Sequence, residues 1–144
     1  MSRGEVMTAL SKPAFKHIES ELYYYHDTLK EIDRLRKEIM FGNSSDDENI
    51  GGGRASEPGR PTERIATRLL THKRLRNLEE MAEAIDYTFN ALSVDHQRVI
   101  KTKYWSKKRL NWDDVSIQLS MHRNTAMKLR KDVVYLIAEK IGWI

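Results

Sequence analysis

Apolar residues recur along this chain at intervals of three and four and almost never at alternate positions, so the pattern predicts helices throughout. Ser11 stands where a helix cap belongs, with Pro13 in the first turn, where proline is tolerated. Phe15, Ile18, Leu22, Tyr25, Leu29, Ile32 and Ile39 then form a seam that repeats every seven residues, interrupted by Arg36. Charged residues such as Glu19, Glu31, Arg34 and Lys37 lie beside or opposite it, and the helix is expected to end near Gly42. The following stretch, GNSSDDENIGGGRASEPGRP, is rich in glycine and proline and reads as a linker or mobile loop. Thr62 opens a second long helix whose apolar face is Ile65, Leu69, Leu78, Met81, Ala82, Ile85, Phe89 and Leu92. Ser93 is a fresh cap for a shorter helix, Val94 to Trp105, burying Val99, Ile100 and Tyr104.

The most informative pattern lies between Asn111 and Lys131. Val115 is followed at offsets of four, six, eleven and fourteen by Leu119, Met121, Ala126 and Leu129, the offsets at which a helix-turn-helix buries its apolar core. Ser116 and Ser120 supply small residues where helices and turn come closest. The last helix continues through Val133, Leu136, Ile137 and Ile141 until Gly142 stops it, with Trp143 docking on the core. The predicted fold is all-α, in four segments. Residues 1–41 form an amphipathic arm, 42–61 the linker, 62–92 the second long helix and 93–144 the helix-turn-helix domain. The arm either pairs with the same helix of another chain, giving a homodimer, or folds back on Thr62–Leu92 as a hairpin.

Charge turns this outline toward nucleic acid. The 144 residues carry a net charge of +4, with 40% hydrophobic and 32% charged residues. From Ser93 onward there are eleven Lys or Arg against five Asp or Glu, while the remainder of the chain is slightly acidic. On the second helix of the motif, His122, Arg123, Asn124 and Met127 are placed to read base edges, Arg123 against guanine and Asn124 against adenine. Thr125, Lys128 and Lys131 are placed to meet phosphates, as are Lys107, Lys108 and Arg109 just before the motif. The alternative for each of these cations is a solvated surface charge. Double-stranded DNA is therefore the expected partner.

Other chemistry finds little support. Asp113 and Asp114 fit the first turn of a helix, where anions meet the positive end of its dipole. Asp46, Asp47 and Glu48 sit in the glycine-rich stretch and read as solvated. His17, His26, His72, His96 and His122 are scattered, so no metal site or other cofactor is expected. No phosphate-binding loop follows a strand, nothing in the sequence points to a Ser-His-Asp arrangement, and no enzyme activity or small-molecule substrate is expected. With no cysteine, neither disulfides nor thiolate zinc fingers are possible. No membrane span or signal-peptide core is visible, which places the protein in the cytoplasm.

The order of elements resembles the RinA-type (ArpU-like) phage late transcriptional activators. The resemblance runs through KHIESELYYY and LKEIDRLRKEIM, the central DENIGGG, PTERIATRLL, LSVDHQRVIKTKYW and SMHRNTAMKLRK. Most specific is Asn49-Ile50-Gly51-Gly52 followed by the Thr62-Glu63 helix start, whereas the helix-turn-helix is also similar to the promoter-binding region of sigma factors. The resemblance implies activation of a phage late operon for packaging and morphogenesis, with host RNA polymerase as a partner. It also implies an ordered contact for DENIGGG and places His122, Arg123, Asn124, Lys128 and Lys131 in the DNA-reading helix. His122 stands where Ser or Thr is the usual cap. An alternative with similar composition is a small DNA-recognition subunit of the phage packaging (terminase) machinery. A coiled-coil adaptor that binds no DNA is a third.

Overall fold

A computed structural model describes the backbone of residues 9–50 and 60–144 and the side chains of 9–42 and 61–144; it is all-α, with no strand among the described residues. In chain order the helices are α1 (Lys12–Tyr23), α2 (Tyr25–Ile50), α3 (Arg60–Ala91), α4 (Val94–Val99), α5 (Trp112–Gln118) and α6 (Arg123–Lys140). A π-helical turn, Ile100–Tyr104, extends α4. Residues 1–8 and 51–59 (GGGRASEPG) lie outside the described residues, and with them the three glycines that end DENIGGG, on which the expected linker and the implied ordered contact fall. The chain divides into two compact units, one of Met1–Tyr25 with Met81–Ile144 and the other of His26–Glu80.

In the first unit α1 begins as the sequence predicts, with Ser11 Oγ accepting from the Ala14 N–H and proline in the first turn. It packs on α6 and on the π-helical turn. Ile18 and Leu22 are fully buried, together with Ile85, Val99, Ile100, Val115, Val133, Val134 and Ile137. Burying each of these side chains stabilises the fold by roughly 1.5–3 kcal/mol before entropy is counted. The predicted unbroken arm is interrupted at Tyr24, whose φ of −98° and ψ of 12° leave the helical region. The cause is long-range: the Trp105 indole N–H donates to the Leu22 carbonyl at 3.0 Å, and a side chain inserted into the helical ladder kinks a helix. Trp105 also stacks on Tyr25, with ring centroids 5.2 Å apart, and packs against Phe89 at 4.9 Å.

Trp143 is 42% exposed and meets only the edge of His17 among the described rings, so it caps the surface rather than docking on the core. Gly142 does end α6. At φ 85° it occupies the left-handed region that glycine enters without a steric penalty, and the Trp143 N–H then closes on the Ala138 carbonyl at 2.8 Å.

In the second unit α2 and α3 of the same chain pair with each other. Arg36 donates to Glu79 at 2.9 and 2.6 Å, and Arg74 and Arg34 both hold Glu31. Hydrogen bonds from Arg34 and then Arg74 keep the Glu31 carboxyl well below its usual range, at about 2. Ile32 and Leu35 are buried, whereas Leu29 is 41% exposed and Ile39 only half-buried. Tyr25 and Ile32 keep their predicted inward places, but Leu35 takes the inward position expected near Arg36, and Arg36 is exposed and bonds to Glu79. Two boundaries also move: α2 continues past Gly42 to Ile50, and α3 starts at Arg60. A side chain at Gly42 would meet nothing within 4 Å, so packing does not require glycine there. The apolar face of α3 is buried at Ala82 and Ile85 but not at Ile65 and Leu69, which are 54% and 65% exposed.

Candidate nucleic-acid interface

The segment from Asn111 to Lys140 is a short helix, a tight turn and a longer helix. Asn111 Oδ1 caps α5 by accepting from the Asp114 N–H at 2.8 Å, and Asp113 and Asp114 occupy its first turn as expected. At the other end the Met121 N–H donates to the Ser116 carbonyl at 3.0 Å and the Ser120 N–H to the Ile117 carbonyl at 3.1 Å. This double closure needs a left-handed residue, and Ser120 supplies it at φ 56°. Met121, the residue after it, folds back toward Val115, the apolar contact that such a closure favours. Because Cβ is strained in the left-handed region, Ser120→Gly should stabilise the protein by about 0.5–1 kcal/mol, the gain being trimmed by glycine's freer unfolded chain. A denaturant midpoint that falls instead would mean the serine side chain is itself needed in the turn.

Helix α6 then starts on His122, whose Nδ1 accepts from the Asn124 N–H at 2.9 Å. The imidazole thus performs the capping usually left to Ser or Thr, and the proton sits on Nε2, leaving a donor on the ring's outer edge. Val115, Leu119 and Val99 form one buried cluster with Leu110, Trp112, Met121 and Leu129 packed on it, and Ala126 is fully buried. Val115, Leu119, Met121 and Leu129, four of the five apolar positions read from the sequence, thus share one cluster. With that face turned inward, His122, Arg123, Asn124, Thr125, Lys128 and Lys131 are exposed and Met127 is half-buried.

The outward cations are not equivalent. Arg123 Nε lies 2.7 Å from Asp113 Oδ1, a link between α5 and α6 that the sequence pattern did not reveal. The Lys131 ammonium sits 5.5 Å from the Tyr135 ring. Lys107, Lys108 and Arg109 are exposed ahead of α5, but the Arg109 guanidinium lies over Tyr23 of α1 at 4.9 Å. Lys103 donates to the Leu110 carbonyl at 2.6 Å and so fixes the approach to α5.

Behind this face lies a charged group that sequence reasoning passed over. Arg130 donates twice to Glu19 of α1, Nε to Oε2 and Nη2 to Oε1, both at 2.8 Å. The Tyr104 hydroxyl donates to the same Oε2 at 2.6 Å, and the guanidinium lies over Phe15 and Trp112. Burial pushes the Glu19 carboxyl up, but the hydrogen bonds from Arg130 and Tyr104 and the guanidinium charge outweigh it, leaving it below the usual carboxylate range. Burial, then the Glu19 charge, push the Tyr104 hydroxyl far up, so it remains a donor. The available signal was an arginine four residues after Ala126 and four before Val134, squarely on the buried stripe of α6.

The structure also gathers Ser93, His96 and Asp132. Ser93 Oγ is 2.6 Å from His96 Nδ1, and His96 Nε2 is 3.0 Å from Asp132 Oδ2. The order of ring nitrogens is opposite to that of a hydrolytic triad, in which Nε2 faces the serine. Ser93 Oγ also accepts the His96 N–H as the cap of α4. The three residues tie α4 to α6. Among the described residues no group of three or more His, Asp or Glu could hold a metal ion, and no helix is long and apolar enough to cross a membrane.

Fold and surface together define an all-α protein whose last helix is anchored from behind and presents a basic, polar face outward. Residues 17–139 match the family described as protein of unknown function (DUF722), and the chain belongs to that family. It is also similar to the transcriptional activator rinA of Staphylococcus phage phi11, with 28% identity over 127 residues, covering 88% of this chain and 89% of that protein. This match bears out the resemblance to the RinA-type proteins. No solved structure matches the chain.

Proposed function

We propose that the protein is a non-enzymatic transcriptional activator of phage late genes that binds double-stranded DNA through α5 and α6 as a helix-turn-helix. It would work in the host cytoplasm with host RNA polymerase. The observation that carries this reading is the outward face of α6, where His122, Arg123, Asn124, Lys128 and Lys131 stand exposed over a buried apolar cluster. The similarity to a protein named a transcriptional activator supports it. In this reading the start of α6 enters the major groove. Arg123 pairs with guanine, Asn124 with adenine, and His122 Nε2–H and Met127 complete the base contacts. Thr125, Lys128 and Lys131, with Lys107, Lys108 and Arg109, hold the flanking phosphates.

A single such motif binds weakly, so a second copy of the chain or polymerase held by the acidic N-terminal part would complete the complex. Footprinting of the full-length protein on phage DNA is the test. Protection upstream of a late promoter is the expected result. Protection at a packaging start would favour a DNA-recognition subunit of the terminase, and the absence of any salt-sensitive duplex binding would overturn both.

A further inference from the structure

Residues 60–77 carry six Lys or Arg and a single acidic residue, Glu63, although they lie in the part of the chain whose overall charge is slightly negative. They form the first half of α3, and every side chain from 61 to 70 is exposed, as are His72, Lys73, Arg74 and Arg76. Arg64, Arg68, His72 and Arg76 follow one another at intervals of four, so they leave the helix from one slowly drifting stripe, about 6 Å apart along the axis. Arg74 is held by Glu31, but Arg64, Arg68, Lys73 and Arg76 have no ion-pair partner among the described residues. Like charges at this spacing repel and destabilise an isolated helix, so the array is explained best by a polyanion that neutralises it.

We propose that this stripe of α3 is a second phosphate-contacting surface for duplex DNA, separate from the α5–α6 interface. A nucleic-acid backbone offers charge at a regular spacing along a line, which a row of cations at regular spacing fits; an acidic protein surface has no such repeat. The row is dominated by arginine, whose planar fork grips phosphate oxygens two at a time. A lipid surface fits less well, because Lys73 projects among the exposed Ile65, Leu69 and Leu70 and breaks up the apolar face such binding needs. Contacts of this kind carry no base information, so they add affinity alike to every sequence.

The proposal rests on the DNA-binding reading above, and the test separates the two. Binding of the full-length protein to a target duplex and to a scrambled duplex is measured over a range of salt concentrations. In Arg64→Gln/Arg68→Gln/Arg76→Gln the charges go while a good helix former stays, and the sites are exposed. Affinity near physiological salt should fall at least about tenfold on both duplexes, and the salt slope should become shallower by roughly 0.9 per lost contact. The triple Arg→Lys variant should keep most of the slope. Wild-type binding with an unchanged slope in the Gln variant overturns the α3 surface alone, as does a loss confined to the target duplex. No binding by the wild type to either duplex overturns both readings.

Discussion

Arg130→Met is expected to destabilise the protein by about 3–5 kcal/mol, because it strands the Glu19 carboxylate in a buried site without its counter-ion. The lower end of that range applies, since the Arg130 side chain retains 22% of its exposure and the Glu19 side chain 11%. The melting temperature should drop by at least about 10 °C. The pH dependence then distinguishes a charge effect from lost packing. In the wild type the Glu19 carboxyl is held below its unfolded value, so its contribution is present above about pH 4.3 and is lost as pH falls through the lower folded value. In the variant, burial without a guanidinium raises the same carboxyl, so the damage should shrink as the solution is acidified from neutrality. A loss of stability that stays constant from pH 7 to about pH 5 would show that stacking on Phe15 and Trp112, rather than charge, is what Arg130 provides.

Removing the whole group should hurt far less than removing one member. Glu19→Leu with Arg130→Met leaves only the Tyr104 hydroxyl without its acceptor, and adding Tyr104→Phe removes that last unsatisfied group. The three substitutions are therefore expected to be strongly non-additive. The functional consequence follows from position: Glu19, itself held by Tyr104, grips α6 from behind at Arg130, within one helical turn of the exposed Lys128 and Lys131. Their loss should loosen the helix that the proposed interface depends on.

Arg123→Ala is expected to weaken binding to the cognate duplex by about 1–3 kcal/mol and to relax specificity at one base pair. In the free protein the guanidinium rests on Asp113, but both side chains are more than half exposed, so the pair is worth little in water and is readily exchanged for a base. Asp113→Asn should act in the opposite direction, raising affinity for all duplexes alike by removing an anion from the phosphate-facing side. Affinities on a set of single-base variants decide the assignment. If Arg123→Ala weakens every duplex equally, Arg123 holds a phosphate and the base it was assigned belongs to another residue.

What was legible beforehand was local. Caps at Ser11 and Ser93, the stop at Gly142 and the Val115–Leu129 offsets depend on hydrogen bonds and spacings within a few residues, and all of them appear in the folded chain. The polar outward face of α6 follows from the same periodicity, because burying Ala126 and Val133 leaves only one direction for Arg123, Asn124 and Lys128. Charge counted over long segments was a blunter guide. Averaging over the first 92 residues hid the basic first half of α3 beneath acidic neighbours.

Tertiary structure decided whatever joins distant residues. Nothing near Tyr24 announces that an indole 83 positions from Leu22 will take its carbonyl and break the helix, and nothing in the seam announces that Leu35 rather than Arg36 will turn inward. The pairing of Glu19 with Arg130 spans 111 positions, and the Arg123–Asp113 link crosses from one helix to another. The physical reason is common to all three. Helical periodicity is set by the backbone ladder and written into neighbouring residues, whereas a side-chain contact between two helices exists only once packing has brought their surfaces together.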